Sequence, residues 1–186
     1  MRSSRGSFLL RALCTFTLSA LAGQASAVDV YGTAGGGNDV GVYEVGLTWA
    51  PWKTWPLDPN WSLSLSPTAG VALWYASGAV TNKSLVDFRA YPVLRLDCSA
   101  FAGFAPYVEG SIGLNVLTHT WIDNLNRQLS TAFQFGEFIG AGIAFGARRE
   151  FDIGVRYQHV SNADIKKPND GLTFGSVVFQ YRFDLR

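Results

Sequence analysis

The sequence predicts an all-β protein, an eight-stranded antiparallel transmembrane β-barrel, and three observations carry that prediction. Apolar residues alternate with polar or small ones through most of the chain. No apolar run after the N-terminal segment is long enough for a helical membrane span. The chain opens on an export signal, and barrel strands need only alternating hydrophobicity to cross a bilayer.

Residues 1–27 read as the signal. Arg2, Arg5 and Arg11 form its basic start, Ala12 to Ala22 its short apolar run, and Ala25-Ser26-Ala27 its cleavage site. The barrel is then expected over residues 28–186 as one domain. With 48% hydrophobic and 16% charged residues, a disordered chain is excluded. Three of the 15 basic residues and none of the 14 acidic ones lie in the signal, so the mature chain has a formal charge of −2 and no polyanion-binding surface. Nucleic acid is not an expected partner. Cys14 leaves with the signal and Cys98 stays alone, which excludes an intramolecular disulfide and a cysteine metal cluster.

The elements follow from period-two alternation. Residues Trp61 to Leu73 alternate throughout. Tyr43, Val45, Leu47 and Trp49 oppose Glu44, Gly46 and Thr48; Phe88, Ala90, Leu94 and Leu96 oppose Asp87, Arg89 and Arg95. Near the end Val177, Phe179, Tyr181 and Phe183 alternate with Ser176, Gln180 and Arg182. Eight such segments are expected near 28–36, 41–50, 60–75, 84–97, 105–117, 129–145, 150–161 and 172–184. Each leaves room for the roughly 9–11 residues that a tilted strand needs to cross a bilayer. The run Gly35 to Asp39 reads as a turn, residues 146–149 as a short connection, and 76–83, 118–128 and 162–171 as longer polar ones.

Which parity faces lipid decides between barrel types. The polar parity pools Glu44, Asp87, Arg89, Arg95, Glu109, Gln134, Arg156, Gln158 and Arg182, acids and bases able to pair inside a narrow lumen. The other parity is aliphatic and aromatic, with Trp49, Trp52, Trp55 and Trp61 around one turn, as in an interfacial girdle. Trp74 is expected to point inward. A soluble ligand-binding barrel would reverse both faces.

Strand seven places Phe151, Ile153, Val155 and Tyr157 on the lipid parity, and the same parity continues to His159 and Ser161. Two residues apart on a strand, an imidazole and a hydroxyl project to one side, the arrangement of a base and a nucleophile. Taken alone, such a pair is an ordinary interfacial one. The residues that follow change its meaning. The stretch from His159 to Gly171, HVSNADIKKPNDG, resembles the signature of the outer-membrane lipid A 3-O-deacylase (PagL) family, with its His-x-Ser-Asn-Ala and Lys-x-Pro-Asn-x-Gly elements.

That resemblance implies an outer-membrane enzyme that hydrolyses the ester-linked 3-hydroxyacyl chain at position 3 of lipid A. It implies His159 as general base, Ser161 as nucleophile and Asn162 as an essential neighbour. Lipopolysaccharide in the outer membrane is the expected substrate and partner; no metal or organic cofactor is expected, and a homodimer is left open. If strand one starts on the periplasmic side, strand seven runs outward and carries the pair to the outer leaflet.

One departure bears on mechanism. The resembled family places a glutamate shortly after the motif glycine, and here Thr173 stands at that position. A substitute emerges from register: a tight turn about Arg148 sets Glu137 opposite His159, on the outward parity of Phe135 and Ile139. An outward carboxylate among apolar neighbours needs a partner. Asp164 and Asp170 are weaker candidates. Asn162 and Asn169 are expected to donate to the oxyanion, and Lys166 and Lys167 to meet lipid A phosphates. A noncatalytic barrel that anchors or adheres is the competing function class, and a soluble lipid-binding barrel comes third.

Overall fold

The computed structural model describes residues 28–81, 83–123 and 127–183; the expected signal, residues 1–27, lies outside the described residues. The strands are β1 (Val28–Gly37), β2 (Val40–Trp49), β3 (Lys53–Pro56), β4 (Trp61–Ala76), β5 (Ser84–Cys98) and β6 (Phe104–Leu117), followed by β7 (Trp121–Ile122), β8 (Arg127–Gln128), β9 (Phe133–Phe145), β10 (Phe151–Ser161) and β11 (Leu172–Arg182). Eight long strands form an antiparallel ring in sequence order, which β1 pairing with β11 closes. Closure leaves no open sheet edge, the condition for crossing hydrocarbon with strands.

The parity reading holds. Outward side chains such as Val45, Ile112 and Ile139 are 68%, 68% and 69% exposed, an apolar wall that belongs against lipid. Inward charges are paired in the bore: Arg89 holds Glu44 at 2.8 Å and Asp87 at 2.7 Å, Arg156 holds Glu109 at 2.7 Å, and Arg95 and Arg182 share Asp152 at 2.8 and 2.9 Å. Trp74 is fully buried, in an apolar plug with Val42, Leu85, Leu129, Val160 and Leu172. The plug fills the end of the bore from which residues 77–83, 118–132 and 162–171 emerge, here called the upper rim.

Three expectations need correction. The alternation of short and long connections fails at the first hairpin: the upper turn between β1 and β2 is only Asn38-Asp39, and residues 50–60 at the lower rim are long. Pro51 breaks β2, and β3 then resumes pairing along β4 at Lys53↔Leu65, so one hairpin arm extends below the ring. Trp52, Trp55 and Trp61 lie exposed on this extension. Second, Gly35 to Gly37 belong to β1, and only Asn38 and Asp39 turn, with φ of 53° and 64°. Gly35 is needed because a Cβ there would overlap the backbone of Gly175 and Ser176. Third, the sixth long strand begins at Phe133 rather than near 129, because residues 127–128 pair with 121–122 in a separate ribbon.

Candidate active site

The site is built at the upper end of β10, which begins at the lower rim and ends at Ser161. Alternation sends Asp152, Gln158 and Val160 into the bore, where they are buried, and Ile153, Val155, Tyr157, His159 and Ser161 to the outer wall. His159 and Ser161 therefore share the lipid-facing surface, each half-buried. No hydrogen bond joins them among the described residues; two residues along a strand span roughly 6–7 Å, and such pairs tighten when substrate binds.

Register supplies the neighbours of the ring. Glu137 on β9 faces His159 on one side, and Thr173 on β11 faces it on the other. The hairpin alignment that places Glu137 beside His159 is thus present. The hydrogen bond, however, is made by Thr173: His159 Nδ1 lies 2.7 Å from Thr173 Oγ1. In the tautomer that donates Nδ1–H to that hydroxyl, Nε2 is the ring nitrogen able to accept a proton. Gly171 packs beneath the ring; its φ is +60°, and a Cβ there would sit 3.0 Å from His159 Cε1, so only glycine suits both demands.

The loop 162–171 holds itself together through Asn162, which is fully buried. Its Nδ2 donates to Leu129 O at 2.7 Å and Lys166 O at 2.8 Å, and its backbone N donates to Asn169 Oδ1 at 3.0 Å. The expectation that Asn162 gives its side-chain amide to an oxyanion therefore gives way: both protons are spent on carbonyls, and the residue shapes the loop. Asn169 donates to Asp164 Oδ1 at 3.1 Å. That hydrogen bond, together with the Lys167 ammonium, holds the Asp164 carboxyl below its ordinary range. Asp170 accepts from Gln128 N at 2.6 Å. Neither aspartate makes a hydrogen bond to His159, and Lys166 and Lys167 lie exposed on the loop's crest. Ala163 and Asp164 adopt left-handed φ of 53° and 62° in succession, and their N–H groups make no backbone hydrogen bond among the described residues.

The sequence reading missed the contribution of the 118–132 connection. Arg127 Nη1 donates to Gly171 O, Ser130 Oγ to Pro168 O at 2.6 Å, and Asp170 N to Gln128 O at 3.0 Å. A local signal lay in the apolar residues Ile122 and Leu129, both of which are fully buried in the plug.

An apolar groove on the outer wall begins at His159 and Glu137 and crosses the sheet toward Leu94 and Leu65, near the lower ends of β5 and β4. The arrangement can therefore seat an extended apolar chain with a reactive group at its head.

Comparisons with known proteins agree with this geometry. Residues 41–182 match the family model described as lipid A 3-O-deacylase (PagL). The chain is 34% identical over 125 residues to the lipid A deacylase PagL of Bordetella bronchiseptica, covering 67% of this chain and 66% of that protein. It is 31% identical over 159 residues to the lipid A deacylase PagL of Pseudomonas aeruginosa, covering 84% of this chain and 87% of that one. The crystal structure of the outer membrane enzyme PagL superposes with a TM-score of 0.72 at 27% identity, over 83% of this chain and 99% of that one. An outward histidine and serine on a closed eight-stranded wall, and these similarities over most of the chain, place it as an outer-membrane barrel that belongs to the lipid A 3-O-deacylase (PagL) family.

Proposed function

We propose that this protein removes the acyl chain esterified at position 3 of lipid A by a serine–histidine mechanism at Ser161 and His159. The observation that carries the reading is their shared position on the lipid-facing wall, at the head of an apolar groove and at the upper end of β10. There a membrane lipid needs no extraction: its sugar lies among the loops and its acyl chain against the wall.

His159 Nε2 takes the proton of Ser161 Oγ as the oxygen attacks the acyl carbonyl carbon. The tetrahedral intermediate collapses with loss of the sugar 3-oxygen, which takes that proton from the imidazolium, leaving an acyl-serine. Water, deprotonated by His159, then attacks the ester, releases the fatty acid and returns the proton to Ser161. The oxyanion is served by the uncommitted backbone N–H groups of Ala163 and Asp164 and by the free N–H of Asn169. Asn162 supports this loop from below. Thr173 holds the orientation of His159, and accepting Nδ1–H leaves Nε2 to act as the base. Glu137 is the nearby acid: facing residues on paired strands have Cβ atoms about 4.5–5.5 Å apart. Lys166 and Lys167, on the exposed crest, are placed to meet lipid A phosphates.

Ser161→Ala and His159→Ala should each reduce release of 3-hydroxy fatty acid from lipopolysaccharide by about a thousandfold or more. Mass spectrometry of lipid A from cells carrying each variant provides the measurement, with the folded barrel verified in the envelope. Undiminished loss of the acyl unit in either variant would refute the assignment.

A further inference from the structure

The groove below His159 is not uniformly walled. Pairing aligns Tyr157, Ile139, Gly110, Leu94 and Leu65 in one row across β10, β9, β6, β5 and β4, all on the outward face. Neighbouring strands lie about 4.8 Å apart, so this row is about 19 Å long and Gly110 stands about 10 Å along it, at its midpoint. Each of its other members carries a large apolar side chain.

The absence of a side chain at 110 is not required by packing. At Gly113 and Gly136, two inward positions, an added Cβ would overlap Tyr91, so those glycines make room for a lumen ring. At Gly110 a Cβ would meet only Phe138 O at 3.4 Å and Ile139 Cγ2 at 4.0 Å, ordinary contact distances. Its φ lies outside the left-handed region, so an L-residue fits there without strain. A glycine in mid-strand forfeits stability that alanine would supply. What the missing side chain leaves is open groove, midway along the row from Tyr157 to Leu65.

We propose that Gly110 determines acyl-chain selectivity: by leaving the middle of the groove open, it lets the tail of a long 3-hydroxyacyl ester lie on the barrel wall from His159 down to Leu65. The inference rests on the deacylase reading above and adds the substrate feature that the groove measures. A branched side chain at 110 closes the groove at its midpoint. Medium chains, which end before it, are then still accepted, whereas long chains must leave the wall.

The test compares kcat/KM for a series of 3-O-(3-hydroxyacyl)glucosamine phosphates, from medium to long chains, between the wild-type protein and Gly110→Leu in detergent micelles. Gly110→Leu should lower kcat/KM for the longest chains by about tenfold to a hundredfold and leave medium chains within about twofold. Gly110→Ala should show the same trend, weaker, and it serves should the leucine variant not fold. An unchanged length profile, or an equal loss at every length, overturns the proposal. A wild-type protein inactive on every ester would instead defeat the deacylase reading itself, so the two failures are distinct.

Discussion

Thr173 shows how much a single residue decides. The resemblance to the family leads to a glutamate at this position, yet the hydroxyl found there reaches His159 Nδ1 at 2.7 Å. A neutral acceptor orients the ring but adds no charge, and a neutral hydrogen bond contributes only about 1 kcal/mol net. Thr173→Val should therefore lower kcat by about tenfold with little change in KM, since orientation matters most in the transition state. In the proposed mechanism Glu137, facing His159 from the other strand, supplies the charge. Glu137→Gln should cost about tenfold or more in kcat, because the imidazolium formed in the transition state then loses the charge that faces it across the strands. Steady-state deacylation of purified lipopolysaccharide distinguishes the two: unchanged kcat in Thr173→Val dismisses the orienting role, and unchanged kcat in Glu137→Gln dismisses the electrostatic one. The presence of Glu137 opposite His159 was legible beforehand, because a tight turn sets hairpin register and register sets neighbours. The Thr173 contact was not, since a threonine on a strand has no signature distinguishing a partner of histidine from a filler.

Among elements, β10 presents His159 and Ser161 on one face, and the connection between β6 and β9 holds the loop that follows it. Arg127 donates to Gly171 O, Gly171 lies under the His159 ring, and Thr173, two residues on, is the second residue of β11. Arg127 is thus a positioning residue that acts through Gly171 and Thr173. A charge-assisted hydrogen bond is worth about 1.5–3 kcal/mol, so Arg127→Ala should lower kcat by about tenfold to a hundredfold, and Arg127→Lys should restore part of it. If the effect passes through the histidine, Arg127→Ala should add little to Thr173→Val, a non-additivity read from a double-mutant cycle in kcat. Strictly additive losses would mean that Arg127 serves only the stability of the loop. No pattern in residues 118–132 announced this role, because Arg127 and Ser130 donate to backbone carbonyls about forty positions away in sequence.

For the whole molecule, the consequential arrangement is a bore that is filled and electrically paired while the wall is left apolar. Arg89 is the hub, with its guanidinium between Glu44 and Asp87 and its side chain fully buried. Arg89→Leu leaves two carboxylates uncompensated in a site without water access, and removal of one partner from such a group costs about 3–5 kcal/mol. Urea unfolding of the barrel in lipid vesicles should show that loss as a lowered midpoint with a similar slope. An unchanged midpoint would show that the lumen pairs do not hold the barrel. The proposed site lies on the outside of this cylinder, so the Ser161 hydroxyl and the His159 imidazole keep their spacing on a strand whose inward neighbours, Gln158 and Val160, are buried in the bore.

Alternation is a local property, and through it the chain by itself determined the eight strands, the face each side chain takes, the pooling of charges in the lumen and the outward course of His159 and Ser161. The short turn after β9 added the Glu137 register. Tertiary structure alone decided that Thr173 bonds the ring, that Asn162 spends its amide on the loop, that Arg127 braces Gly171, and that β3 prolongs the lower rim. The physical reason is distance along the chain. A strand's period and a hairpin's register arise from neighbouring residues, whereas loop contacts form only when barrel closure brings remote backbone groups together.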